Sequence, residues 1–347
     1  MILKKLGVFA AAVSVLLATT SIADTLEVKE NHPTKYVVQK GDTLWDISAK
    51  FLKKPWYWPK IWHVNPQVDD PHWIYPGDVL TLVWIDGQPY LKRAEPVQIK
   101  DAPIKTISGE AVKSFLKKDA VLPYDGLDKL PYVLGDNDSR TLMANTTDLY
   151  VKGTLNKGQQ YGIYEKGELL KDEEGNKLGY YARLVAVTVA GDVYENNVNK
   201  TYLVKNISAV KQGQYLMPFS GDEGYNLYFV PKAATVDAKV IALGDKSRFA
   251  GKNDTVILSK GSSNGVQVGD VFQVARVGEG IAGGSADSVE YSNMATVGKN
   301  LLHENLPDDV VGEVMVYRTY DKVSLGLIMN SYKDVRVGYK AKKPEYN

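Results

Sequence analysis

All six tryptophans of the chain fall between Trp45 and Trp84. The largest side chain is thus confined to one short stretch, which marks a small unit with a core filled by bulky rings. The rest of the 347 residues must be built differently, and that length suits two or three domains. Tyr36-Val37-Val38-Gln39 alternates like a strand, and Gly41 allows a tight turn out of it. Asp42 or Thr43 then caps a helix, expected over 43–52, whose apolar positions Leu44, Ile47 and Phe51 share one face. Pro55 ends that helix. Pro59 suits the first turn of a second helix through Ile61, Trp62 and Val64, which Asn65-Pro66 closes. Ile74-Tyr75-Pro76-Gly77-Asp78 reads as a turn feeding the strand Val79-Leu80-Thr81-Leu82. The order is strand, helix, helix, strand.

Trp45, Trp62 and Trp73 read as core residues of this unit. Trp56-Tyr57-Trp58, held between two prolines, are not expected all to face one core. At least one ring should be exposed, either as a sugar-stacking platform or as a packing surface for the following domain, and packing is the favoured reading.

The residues Tyr36-Val37-Val38, Gly41-Asp42-Thr43-Leu44, Ile47, Asn65-Pro66 and Ile74-x-Pro76-Gly77-Asp78-x-Leu80 resemble a LysM domain over about residues 35–84. The link Pro55-Trp56-Tyr57-Trp58-Pro59 and the Gln67 to Trp73 segment depart from the commonest pattern. The resemblance implies a two-stranded antiparallel sheet with both helices on one face. It also implies binding of N-acetylglucosamine-containing glycans, chiefly peptidoglycan, in a shallow groove between the two turns. Carried over, the groove is lined by Gly41, Asp42, Thr43 and Leu44 on one side and Asn65, Ile74, Pro76 and Gly77 on the other. An acetamido group offers one donor, one acceptor and a methyl. Backbone groups of the turns suit the amide, and Leu44 and Ile74 suit the methyl. Gly41, Gly77, Asp42 and Thr43 are equally the residues that turns and caps require for the fold alone.

Ahead of this unit, Lys4 and Lys5 precede an apolar or small run from Leu6 to Leu17, and Ser21-Ile22-Ala23 fits a cleavage triplet. The pattern predicts a signal peptide over 1–23, cut before Asp24, with a polar linker over 24–34. The apolar run is shorter than the roughly 20 residues that cross a bilayer. Cleavage takes the formal charge from +1 to −1, and no membrane span is expected afterwards. A neutral chain gives no electrostatic reason for nucleic-acid binding.

Residues 85–129, with Pro89, Pro96 and Pro103, read as an extended connector carrying a short helix over 109–117. Tyr- and Val-rich runs separated by Gly and Asn then predict many short strands. An internal duplication is visible. Asp148-Leu149-Tyr150-Val151 parallels Asp254-Thr255-Val256-Ile257-Leu258, and Gly158-x-x-Tyr161-x-Ile163 parallels Gly269-x-x-Phe272-x-Val274. Gly179 to Val187 parallels Gly312 to Arg318, and Lys211-Gln212-Gly213 parallels Arg336-Val337-Gly338. The expected architecture is therefore α+β: a small βααβ domain, then a mainly-β tail of two related sheet- or barrel-like repeats over 130–218 and 219–347, each of about five strands. The second carries a polar insertion, 278–309, expected to be mobile or ordered by a partner.

Catalysis has few groups to draw on. The chain has no Cys, and its four His, at 32, 63, 72 and 303, form no zinc-ligand spacing, so neither a thiol nucleophile nor a metal is expected. A carboxylate-dependent wall hydrolase is the remaining enzyme class, and a strand-rich tail is an unusual setting for it. No cofactor is implied. Leader, aromatic LysM-like unit and β-rich tail together are similar to LysM-containing envelope proteins of Gram-negative bacteria. That resemblance implies a non-catalytic periplasmic protein that binds peptidoglycan and presents its β-repeats to another envelope component. The alternative is a protein-interaction role in which the LysM-like fold binds no glycan.

Overall fold

A computed structural model describes residues 26–62, 74–93, 119–143, 148–219, 230–244, 247–282, 290–291 and 303–344. The expected leader, Asn65, His63, His72, Trp73 and the expected helix over 109–117 lie outside these residues.

The N-terminal unit follows the expected order. Strand β1 (Lys35–Val37) pairs antiparallel with β2 (Val79–Ile85), and helices α1 (Leu44–Phe51) and α2 (Trp58–Ile61) lie between them in sequence. Thr43, not Asp42, caps α1: its hydroxyl accepts from the Asp46 amide. The linker reading of 24–34 gives way to a pinned arm, because Val28 bridges Leu52 and Lys29 N–H donates to the Phe51 carbonyl at 2.8 Å. The connector reading also begins too early. A third strand, β3 (Gln88–Arg93), pairs along the whole of β2 through a turn at Asp86-Gly87, both at positive φ (50° and 78°). That is the two-residue hairpin for which Asp-Gly is suited.

The tail forms two closed six-stranded antiparallel barrels. The first comprises β5 (Tyr132–Gly135), β6 (Asp148–Lys152), β7 (Gln160–Lys171), β8 (Lys177–Tyr194), β9 (Val198–Asn206) and β10 (Tyr215–Pro218). Its cyclic order is β8-β7-β10-β5-β6-β9, closed by the β8–β9 pairing, with β4 (Asp119–Leu122) added against β8. The second comprises β12 (Ala238–Leu243), β13 (Thr255–Leu258), β14 (Asp270–Arg276), β18 (Asp309–Thr319), β19 (Ser324–Ser331) and β20 (Lys340–Lys342). Its order is β18-β14-β20-β12-β13-β19, closed by the β18–β19 pairing, and β11 (Lys232–Ala233) joins β14 in parallel. Numbered within each barrel, both orders read 4-3-6-1-2-5. Three of the four sequence parallels fall on equivalent strands and the fourth on the equivalent turn into the last strand, and matching isolated bridges recur, Met143 to Val210 and Ala250 to Val335. The expected strand number of about five per repeat is corrected to six. Closure leaves no unpaired edge in the ring, which a five-stranded open sheet would expose. Described parts of the insertion form a small sheet of β15 (Gly280–Ala282), β16 (Glu290–Tyr291) and β17 (His303–Asn305).

Each barrel has its own interior, Val133, Leu149, Val151, Ile163 and Leu216 in the first and Val240, Val256, Leu258, Phe272, Val314 and Ile328 in the second. The second barrel is buried on its outside as well. Ile257, Met315, Tyr317, Leu325, Leu327 and Met329, which alternate with the interior residues, join one apolar cluster with Trp45, Phe51, Trp56, Trp58 and Trp62. The expectation that one ring of Trp56-Tyr57-Trp58 is exposed is therefore corrected: all three are buried. A 3-10 turn over Pro55–Tyr57 leads directly into α2, so successive rings point in different directions, and the barrel wall gives them a second apolar surface. The favoured packing reading holds, while no ring of the triplet is left as a platform. An ion pair between Lys252 and Asp46, 2.9 Å, ties the same two units at their rim.

Candidate glycan-binding site

The first turn is closed by its own acid. Asp42 N–H donates to the Gln39 carbonyl at 3.1 Å, and the Asp42 carboxylate accepts from Gln39 N–H and the Tyr36 hydroxyl, each at 2.7 Å. Burial, then the Asp42 carboxylate, push the Tyr36 phenol up to about 12, so it stays a donor to Asp42 through any physiological pH. Gly41 sits at φ +97°, a left-handed conformation that costs a side-chain-bearing residue strain, and nothing lies within 4 Å of where its Cβ would be. Thr43 is buried, its hydroxyl donating to Asp46 Oδ2 at 2.7 Å while it accepts from Asp46 N–H at 3.0 Å.

The second turn repeats the device. Asp78 N–H donates to the Tyr75 carbonyl and Tyr75 N–H donates to Asp78 Oδ2, both at 3.0 Å. Asp78 is buried, and Arg93 on β3 reaches the same oxygen at 3.4 Å. Gly77 has φ +97°, matching Gly41.

Val38 joins the two turns. Its amide donates to the Asp78 carbonyl at 2.9 Å and its carbonyl accepts from Gly77 N–H at 2.8 Å. The first turn, closed from Gln39 to Asp42, is thereby tied through Val38 to the second, and Gly41, Asp42, Pro76 and Gly77 are not buried. The other expected site residues divide. Leu44 and Ile74 are 0% exposed and belong to the core, so the expectation that they cover a ligand methyl is corrected. Their apolar side chains fill the small core between helices and sheet instead. Thr43 acts as the helix cap, and Asn65 lies outside the described residues. What remains at the surface is two linked turns that offer backbone amides and carbonyls with little side-chain chemistry, suited to neutral hydrogen-bonding ligands. Tyr36 and Asp78, read from the sequence only as part of the fold pattern, and Arg93 were not expected at the site. Asp78 has the same position after Gly77 that Asp42 has after Gly41, and that repetition is the signal that could have found it. Among the described residues no group of three or more His, Asp or Glu is placed to hold a metal ion.

A glycine turn, a capped helix and a second glycine turn locked to the first define a small α+β module. The LysM domain family matches residues 36–83, so this segment is a LysM domain, in general a peptidoglycan- or N-acetylglucosamine-binding module. The chain is also similar to the uncharacterized protein YqbP of Bacillus subtilis (strain 168), at 42% identity over 60 residues. That similarity covers 14% of this chain and 27% of YqbP, so the chain spans about a quarter of that relative's length.

Proposed function

We propose that this chain binds N-acetylglucosamine-containing glycan, peptidoglycan foremost, through the cleft between its two glycine turns, and that it is a non-catalytic exported protein of a Gram-negative envelope. The observation that carries the reading is the double hydrogen bond of Val38 to Gly77 and Asp78, which holds both turns in register without help from a ligand. A preformed cleft spares a weak binder the ordering cost of assembling its site. With a shallow, uncharged surface and few buried contacts, one module should bind with a dissociation constant on the order of micromolar to millimolar. The leader-like residues 1–23 support export to the periplasm, and the paired barrels suit presentation of a rigid surface to another envelope component. Among the described residues no helix is long and apolar enough to cross a membrane.

Sedimentation of the full chain with purified sacculi tests the reading. Pelleting should be competed by soluble N-acetylglucosamine oligomers and weakened by Asn65→Ala. Pelleting that neither treatment reduces would leave the cleft without a role. The second reading, a LysM fold used for protein packing alone, draws on the burial of Trp45, Trp56, Trp58 and Trp62 in the cluster shared with the second barrel. It predicts a supernatant protein in the same assay.

A further inference from the structure

The two barrels share one topology, so every outer position of one has a counterpart on the other. Leu149 and Val151 face the interior as Val256 and Leu258 do, which aligns Tyr150 with Ile257 and Asp148 with Thr255. Across the next strand, Tyr150 stands opposite Lys200 and Asp148 opposite Tyr202, while Ile257 stands opposite Leu325 and Thr255 opposite Leu327. Ile257, Leu325 and Leu327 are aliphatic and lie in the cluster containing the LysM tryptophans. Their counterparts Tyr150, Lys200 and Tyr202 are aromatic or charged, and this face of the first barrel is open. Tyr194 is 52% exposed, Tyr202 40% and Tyr132 38%.

These tyrosines form one surface. Tyr132, Lys152, Val198 and Tyr194 are successive cross-strand partners over β5, β6, β9 and β8, a row about 14 Å long at the usual strand spacing. Tyr150 lies 6.3 Å from Tyr194 between ring centroids. Tyr202 is laid against Gly191, where a Cβ would stand 2.6 Å from its Cε2, so its ring rests on the sheet. Polar groups fill the gaps between rings. Lys200 bonds Asp148 at 2.6 Å and sits 5.4 Å from the Tyr202 centroid, Lys157 bonds Asp192 at 2.7 Å, and Asn137 donates to the Tyr150 hydroxyl at 3.0 Å. Lys200 and Lys157 are each paired with a carboxylate and the Lys152 ammonium donates to the Asn196 carbonyl, so the cations of this row are already engaged and the face suits a ligand that carries no negative charge of its own.

We infer that the β6–β9–β8 face of the first barrel is a second saccharide-binding surface, taking the same uncharged N-acetylated glycan strand as the LysM cleft; the inference rests on the glycan reading above. Tyrosine faces match the C–H faces of pyranose rings. The remaining lone pairs and N–H groups of the neutralised pairs match hydroxyls and acetamides. A face meant for permanent protein cover has the aliphatic make-up of its counterpart, whereas this one stays wettable when empty and still offers stacking rings. Two weak contacts to one polymer reinforce each other through effective concentration, without either becoming tight.

The test compares the full chain with Tyr150→Ala/Tyr202→Ala and with Asn65→Ala, in pelleting on sacculi and on chitin, which has no peptide stems. The tyrosine variant should weaken pelleting on both polymers on the order of tenfold. Its tryptophan-monitored affinity for a short soluble N-acetylglucosamine oligomer should stay unchanged, since all six Trp lie between Trp45 and Trp84, in or beside the LysM segment. An unchanged midpoint in thermal unfolding shows that the variant is folded. Pelleting equal to wild type overturns the inference, and loss with Asn65→Ala alone then leaves the LysM reading standing. Loss with the tyrosine variant alone supports this face and sinks the cleft. Capture of a protein by this face, with polymer binding intact, also overturns the inference.

Discussion

Replacing Leu327 with Ala tests whether the LysM domain and the second barrel share a core. Leu327 is buried on the outer side of β19, opposite Thr255 on one neighbouring strand and Met315 on the other. The substitution removes three carbons, about 2 kcal/mol of transfer free energy at roughly 0.8 kcal/mol per CH₂ group. The site is walled by large rings and by strands of a closed barrel, which relax little, so a cavity contribution raises the expected total to about 3–4 kcal/mol. Urea unfolding should be followed by far-ultraviolet circular dichroism and by tryptophan emission. The barrels contain no Trp, so emission reports the LysM side and dichroism mainly the strands. A continuous core predicts that both transitions move to lower urea together. The counterpart substitution Tyr202→Ala, at a half-open position, should cost under about 1 kcal/mol and leave emission unchanged. If Leu327→Ala shifts the dichroism transition while the emission transition stays in place, the two units are not coupled in this way.

Two further perturbations have defined signs. Thr43→Ala removes the hydroxyl that caps α1 and should destabilise the chain by about 1 kcal/mol, read as a lower unfolding midpoint, with Thr43→Ser largely restoring it. Glu313 is buried on β18, accepting from Asn330 and from the Tyr332 hydroxyl at 3.2 Å, with Lys29 the cation that acts on it. Burial pushes its carboxyl above the ordinary glutamate value despite those bonds. A raised folded-state value means that its stability contribution is complete below the unfolded value and is lost as pH rises through the folded one. Glu313→Gln should therefore gain stability relative to wild type between about pH 4 and neutrality, and a difference independent of pH would contradict the assignment.

Much of the LysM domain was legible because local rules determine it. Gly41 and Gly77 occupy the positive-φ positions that a turn demands, and Leu44, Ile47 and Phe51 trace one helix face. β3 was passed over because Pro89 suggested a connector, although Asp86-Gly87 between Val83-Trp84-Ile85 and Tyr90-Leu91 is a hairpin signal. The burial of Trp56, Tyr57 and Trp58 depends on a surface far away in sequence. A hint lay in the unbroken run Val314-Met315-Val316-Tyr317, since a barrel strand wet on its outside would alternate. The duplication was readable over several strands, but β9, β12 and β19 were missed, and ring closure depends on pairings such as β8 with β9 and β12 with β20 that no local pattern encodes. In the cleft, the turns were readable and the inward side chains of Leu44 and Ile74 were not, because a residue flanking a turn can face either way.

Because Trp45, Trp56, Trp58 and Trp62 are sunk against a barrel wall, the LysM domain is bolted on rather than leashed. A module on a loose tether samples many angles on its polymer and passes little torque to its cargo. Here any angle imposed on the module also sets where the neighbouring barrel points, so a pull on the module's ligand would be felt as a turning force across that joint.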